Sequence, residues 1–150
     1  MEKILISACL IGDKCRYDGK DNRSPLIEKL LEKYELVPFC PEVEGGLRTP
    51  REPSERNKTG VRMKNGKNVT PNFYKGADLA VNICLHLDIK VAILKERSPS
   101  CGVKKIYDGN FTGRLINGQG VTTEILKSKG IRVISEEEIG DFFNEIKTED

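Results

Sequence analysis

Short apolar runs alternate with amphipathic stretches along this chain, and that alternation sets its class. Lys3 to Ala8 carries a buried-strand pattern and opens into a polar loop from Cys9 to Gly19. Ser24-Pro25 supplies an N-cap followed by proline at a first helical position, after which Leu26, Ile27, Leu30, Leu31 and Tyr34 recur at helical spacing. Leu36 to Phe39 predicts the next strand, so strand, helix and strand form a right-handed crossover with parallel pairing. Thr70-Pro71 repeats the cap-and-proline signal ahead of Phe73, Ala77, Ala80, Cys84 and Leu87 on one helical face. Val91 to Leu94 predicts a third parallel strand, Thr122 to Lys129 a helix stopped by Gly130, Ile131 to Ile134 a fourth strand, and Glu137 to Lys147 a terminal amphipathic helix. The expected fold is α/β, a Rossmann-like three-layer sandwich with a mostly parallel sheet. No repeat or second unit is visible, so residues 1–150 are expected to form one domain.

Three segments break the alternation. Pro41 to Thr59 is rich in proline, glycine and charge, which predicts an ordered functional loop without regular structure. Val61-Arg62-Met63 and Lys67-Asn68-Val69 flank Asn65-Gly66, the signal for a small hairpin. Asp108 to Gly120 is glycine-rich but has the spacing of neither a phosphate loop nor a dinucleotide fingerprint, and reads as a lid or turn.

Composition narrows the function by exclusion. Lys plus Arg number 25 against 23 for Asp plus Glu, a net charge of +2 that favours neither nucleic acid nor an anionic membrane as partner. No apolar stretch approaches the length of a membrane span, and Met1-Glu2-Lys3 leads into a strand without a signal-peptide layout, so the expected location is the cytoplasm. The cysteine count, five, is odd and has no short-loop framework, which argues for reduced thiols over structural disulfides. A chain of 150 residues buries a core without metal staples, so a metal here would serve chemistry more than folding.

Cys9, Cys40 and Cys101 each stand where an apolar, strand-like run gives way to a polar loop. In a parallel α/β sheet such loops gather at the carboxyl ends of the strands, where ligands bind. Three soft thiolates meeting there suit an iron-sulfur cluster with one open iron, or a zinc ion with a labile fourth position. Glu42 follows Cys40 by two residues, and Gly45-Gly46 permits close backbone approach, so the carboxylate reaches the same pocket. Taken alone, Glu42 reads equally well as a solvated loop carboxylate and Cys40 as a small apolar strand end. Ser98-Pro99-Ser100-Cys101-Gly102 sets hydroxyls, a thiol and backbone amides where they can bind a ligand sulfur or a developing anion; the bland alternative is a tight turn. Lys95, Arg97 and Lys104 offset thiolate charge if they point inward, and otherwise form a solvated rim. Cys15, in mid-loop, reads as a spectator ahead of a fourth ligand or an auxiliary thiol, and Cys84 belongs to the core. His86 is the single histidine and reads as structural or exposed, which excludes a histidine triad. The absence of a Cys-x-x-C pair disfavours dithiol exchange.

Taken in order, Ile6-Ser7-Ala8-Cys9-Leu10-Ile11-Gly12, Cys15-Arg16-Tyr17-Asp18-Gly19, Cys40-Pro41-Glu42-Val43-Glu44-Gly45-Gly46-Leu47, Thr49-Pro50-Arg51 and Ser98-Pro99-Ser100-Cys101-Gly102 resemble the bacterial thiouracil desulfidase (desulfurase) family. The resemblance spans most of the chain. It implies an α/β fold and an oxygen-sensitive [4Fe-4S] cluster held by Cys9, Cys40 and Cys101. The implied activity is non-redox desulfuration of a thiolated pyrimidine such as 2-thiouracil, releasing hydrosulfide and leaving the oxo compound. Within that chemistry Glu42 is expected to be the general base and proton shuttle, while Ser100, with Ser98 behind it, positions the heterocycle or the sulfur. Two other classes compete: a non-catalytic iron-sulfur or zinc-binding domain, and a cluster-free thiol enzyme with Cys101 as nucleophile poised by Arg97 and Lys104.

Overall fold

The computed structural model describes residues 1–149. In chain order the elements are β1 (Glu2–Ser7), a 3-10 turn (Ala8–Ile11), α1 (Ile27–Lys33), β2 (Tyr34–Phe39), α2 (Pro41–Glu44), β3 (Ser54–Asn57), β4 (Gly60–Met63) and α3 (Thr70–His86). There follow β5 (Val91–Leu94), β6 (Lys105–Tyr107), β7 (Leu115–Asn117), α4 (Val121–Ser128), β8 (Arg132–Ser135), a second 3-10 turn (Glu136–Glu138) and α5 (Ile139–Glu149).

The expected α/β sandwich forms, with a central sheet of order β2-β1-β5-β8 in which every pairing is parallel. Side-chain alternation splits each strand between two cores. Leu5, Ala92, Leu94 and Val133 face Ala80, Cys84 and Leu126 of α3 and α4. Ile4, Ile6, Ile93 and Ile134 face Ile27 and Leu30 of α1 and Ile139 and Phe142 of α5. Cys84 is a core residue, as its place on the helical face predicts. A third cluster packs Val61, Met63 and Val69 on Phe73 and Ala77 of α3.

The irregular segments are more structured than their composition predicts. Pro41 to Thr59 contains the one-turn helix α2 and strand β3, and β3 is the regular antiparallel partner of β4. The Asn65-Gly66 turn is present, closed by the Gly66 amide on the Met63 carbonyl at 2.8 Å, but Lys67 to Val69 returns with a single bridge, Arg62 to Asn68. The stretch from Asp108 to Gly120 is flanked and partly occupied by the β6–β7 hairpin.

Helix starts also differ from expectation. α1 begins at Ile27, and the Ser24 hydroxyl accepts from the Leu26 amide at 3.3 Å, so the serine caps the turn leading into the helix. Thr70 is the first residue of α3; its hydroxyl is drawn to the Val61 amide at 2.8 Å and ties the helix to β4, while Asn68 accepts the Thr70 amide at 3.1 Å.

One close approach sets where α2 lies. A Cβ on Gly76, inside α3, would collide with the carbonyl oxygen of Pro41, the first residue of α2. Helix propensity alone favours Ala over Gly by about 1 kcal/mol, but forcing apart two packed backbones costs up to about 3 kcal/mol. Gly76→Ala is therefore expected to destabilise the protein by about 2 kcal/mol; unchanged urea unfolding would show that α2 has room to retreat.

Candidate active site

β1 and β5 are neighbours although the chain visits β2 between them, so the strand order reverses at β1 and opens a crevice at the carboxyl edge. Cys9 lies in the 3-10 turn after β1, Cys40 directly after β2, and Cys101 in the turn beyond β5. All three line one cavity of about 570 Å3, with Cys9 and Cys101 buried and Cys40 half-buried. Cys15 lines it too, and its thiol reaches both Cys9 and Cys40. The loop after Gly12 folds back and brings this mid-loop thiol to the cavity wall, beside Cys9 and Cys40.

The thiols polarise one another. Donation by the Cys15 thiol lowers Cys9 below its ordinary value against the opposing effect of burial, helped by the Asn22 amide 3.4 Å from Cys9 Sγ. The same donor, again against burial and with help from the Val43 amide, brings Cys40 down to about 7. Cys15, the donor to both, is pushed strongly up. Burial pushes Cys101 up to about 12 despite the hydroxyls of Ser7 and Ser100. Among the described residues no group of three or more His, Cys, Asp or Glu donors is close enough to hold a single ion. Thiols arrayed around one cavity suit a polynuclear centre.

Beside the thiols runs a chain of hydroxyls. Ser100 Oγ donates to Glu42 Oε2 at 3.0 Å and lies 3.5 Å from Cys101 Sγ. Ser98 Oγ lies 2.9 Å from Ser100 Oγ and accepts the amides of Ser100 and Cys101. Because Ser100 spends its proton on the carboxylate, Ser98 is the donor in the serine pair. The other oxygen of Glu42 faces Arg51, whose Nη2 is 3.2 Å away. Arg51 is almost fully buried; Nη2 also donates to the Cys15 carbonyl at 2.9 Å, and the Arg51 amide donates to Tyr17 O at 2.7 Å. One guanidinium thus fixes Glu42 and stitches the Cys9–Gly19 loop to the segment after α2.

The loop bearing Cys101 hangs on a second carboxylate. Glu96 is 2% exposed, and its Oε1 accepts the amides of Arg97, Val103, Lys104 and Lys105 at 2.7–3.4 Å. Burial alone would raise this carboxyl; the amide donors outweigh it and hold it below the usual carboxylate range. The turn from Ser98 to Gly102 is thus suspended between the end of β5 and the start of β6.

A model of the 2-thiouracil desulfurase family matches residues 4–138, most of the chain. The chain belongs to the 2-thiouracil desulfurase family. A relative in this range is the Bacillus subtilis (strain 168) protein YbbK, described as uncharacterized, which is 43% identical over 148 residues, spanning 92% of this chain and 98% of the relative. The solved structure of the [4Fe-4S]-dependent thiouracil desulfidase TudS (DUF523Vcz) is similar at 43% identity with a TM-score of 0.91, covering 99% of each chain. The family resemblance carried by the cysteine-bearing blocks is borne out.

The residues singled out in the sequence fall as follows. Cys9, Cys40, Cys101, Glu42, Ser98 and Ser100 all reach the cavity. Lys95 lines it and helps lower Cys9, but its ammonium is paired with Glu136 at 3.0 Å. Lys104 points away to Glu138, and Arg97 sits exposed on the cavity wall. With Cys101 buried and pushed up, the cluster-free nucleophile reading loses its poised thiolate. His86 is exposed at the end of α3, outside the cavity lining. Arg51 entered the sequence reading only as the end of the Thr49-Pro50-Arg51 block, with no chemical role, and Glu96 was given none; the signal for Glu96 was a lone glutamate at a strand end.

Glu96 yields a prediction with a sign. A carboxyl held lower in the folded than in the unfolded state adds stability above its unfolded value, about 4.3, and that stability is lost as pH falls through the folded value. Glu96→Ala, which orphans the amides it serves, is expected to cost about 3 kcal/mol at neutral pH. Its stability should also decline less steeply than the wild type's in acid; equal slopes in urea unfolding at neutral and acidic pH would remove Glu96 as the acid-labile clamp.

Proposed function

We infer that this protein is a [4Fe-4S]-dependent desulfidase that hydrolyses the thiocarbonyl of a small thiolated pyrimidine, of the 2-thiouracil type, to the oxo compound and hydrosulfide. The observation that carries the reading is three strand-end cysteines on one cavity beside a glutamate–serine relay, in a chain similar over its whole length to TudS. Cys9, Cys40 and Cys101 would hold the cluster, leaving one iron without a protein ligand. When bound, such a cluster supplies a soft Lewis acid for the thiocarbonyl sulfur.

The remaining work falls to side chains. Arg51 commits Glu42 Oε1, so Oε2 and the Ser100 hydroxyl form the proton-handling edge of the pair. Glu42 takes the proton of the water that adds to the thiocarbonyl carbon, and the Ser98–Ser100 chain holds that carboxylate in place. Collapse of the tetrahedral species breaks the C–S bond; the proton held at Glu42 passes through Ser100 Oγ, which stands between the carboxylate and Cys101, to the departing sulfide, giving hydrosulfide, and Glu42 then takes the hydroxyl proton released as the carbonyl forms and passes it to solvent. One water is consumed and no net electron moves. A storage domain has no use for this relay, which weighs against the non-catalytic alternative.

The wider reading is of residues 1–150 acting as one domain in a bacterial cytoplasm, where thiols stay reduced, on a free small molecule and without nucleic acid. Among the described residues no helix is long and apolar enough to cross a membrane.

Anaerobic reconstitution with iron and sulfide, followed by hydrosulfide assay on a panel of thiolated pyrimidines, tests it. A brown protein that bleaches in air and releases hydrosulfide is expected; a colourless protein with stoichiometric zinc, or activity that survives iron chelation, would end the reading. Cys9→Ser, Cys40→Ser and Cys101→Ser should each lose the cluster, whereas Cys84→Ala should retain it, and retention in all three serine variants refutes the ligand trio. Glu42→Gln should load normally and turn over about 100-fold more slowly; a near-normal rate takes Glu42 out of proton transfer.

A further inference from the structure

A second set of cavity residues comes from two hairpins outside the central sheet: Ser54 and Glu55 of β3, Tyr107 at the end of β6, and Phe111 in the β6–β7 turn. None of these is needed to bind iron or to move a proton. Phe111 is half-buried, yet it belongs to none of the three apolar clusters among the described residues, so its burial is against the cavity and its own turn.

Its backbone is held in a conformation that bulky L-residues rarely adopt, with φ +56°. What holds it is Glu55, whose Oε1 accepts the amides of Gly109 at 3.0 Å and Phe111 at 3.1 Å. The turn is pressed onto β3: a Cβ at Gly109 would stand 2.7 Å from Asn57 Cβ and 2.8 Å from the Arg56 carbonyl. A left-handed aromatic residue, a carboxylate spent on two turn amides and a glycine at the contact all serve one placement, that of Phe111 on the cavity wall.

We propose that Phe111 forms the recognition wall for the substrate's flat heteroaromatic ring, with Glu55 as the positioning residue. The inference rests on the functional reading above and adds to it the residues that select the ring. Phe111 offers a face on which a pyrimidine stacks. Selection for a ring then comes from this wall, and reaction at the thiocarbonyl from the wall that carries Glu42 and Ser100.

The test uses cluster-loaded protein, with the visible cluster absorbance as the check on folding. Phe111→Ala is expected to raise KM for 2-thiouracil about tenfold with little change in kcat. Phe111→Tyr should restore binding and Phe111→Leu, similar in bulk but without a π face, should not. Glu55→Ala should behave like Phe111→Ala, while Glu55→Gln, which keeps the accepting oxygen, should behave like the wild type. The Kd of 2-thiouracil by calorimetry separates this inference from the functional one. If the wild type binds without turnover, the desulfidase reading fails and the Kd ratios still judge the wall. KM and Kd within twofold of wild type in both Phe111→Ala and Phe111→Leu, or no binding by the wild type, would overturn the proposal.

Discussion

The parallel placement of β1 between β2 and β5 is the constraint on which everything else in this molecule depends. Ser7 pairs with Phe39 and Ile6 with Ile93, so the three strands finish at one level and release their loops on one edge. The Ser7 hydroxyl accepts the Lys95 amide at 2.9 Å, closing the ends of β1 and β5 against each other just below the cavity. A parallel register cannot slip by one residue without turning Ile4 and Ile6 into the face that now belongs to Leu5, and the two cores forbid that exchange. Packing on both faces of the sheet therefore specifies where three distant cysteines emerge. The site inherits its geometry from the hydrophobic alternation of the strands.

Placement alone does not hold a loop, and the two loops that need holding are held by buried charge. Arg51 binds the carbonyl of Cys15 and the carboxylate of Glu42, and so couples the loop after β1 to the short helix after β2. Glu96 gathers the amides of the turn after β5 into one oxygen. Both groups are nearly sealed from water, where an unpaired charge costs several kcal/mol. Each is compensated by hydrogen bonds that exist only when its loop is correctly formed. The loops are thereby rigid enough to present side chains to a shared cavity.

This division explains what could be read along the chain. The four parallel strands and the helices α1, α3, α4 and α5 were legible because each buries an apolar face of regular period, and Cys9, Cys40 and Cys101 were legible because strand ends inherit that regularity. Glu42 and Ser100 followed from their nearness in sequence to those cysteines. β3, β6 and β7 escaped because strands of three or four residues pair with partners set by loop path, not by period. Cys15 escaped because its position depends on how a polar loop folds back. Arg51 and Glu96 escaped because their partners are backbone atoms and a carboxylate brought near by folding, and a charged residue in a loop text looks the same whether it is solvated or buried.

The charges around the cavity also say what kind of occupant it is built for. Cys9 and Cys40 are both lowered, while Glu42, Glu55 and Glu96 add three carboxylates to the same walls. The buried and half-buried cations on the wall are already engaged: Arg51 by Glu42, Lys95 by Glu136 and Arg16 by Asp18. Arg97 is exposed, where water screens it. Among the described residues every cation on the cavity wall is paired or exposed, and burial makes Cys101, deepest of the three, the hardest to ionise. A neutral organic ligand leaves that imbalance in place. A positively charged inorganic centre held by Cys9, Cys40 and Cys101 would offset it and would favour the thiolate form of Cys101. Electrostatics and strand topology thus favour the same occupant, by arguments that do not depend on each other.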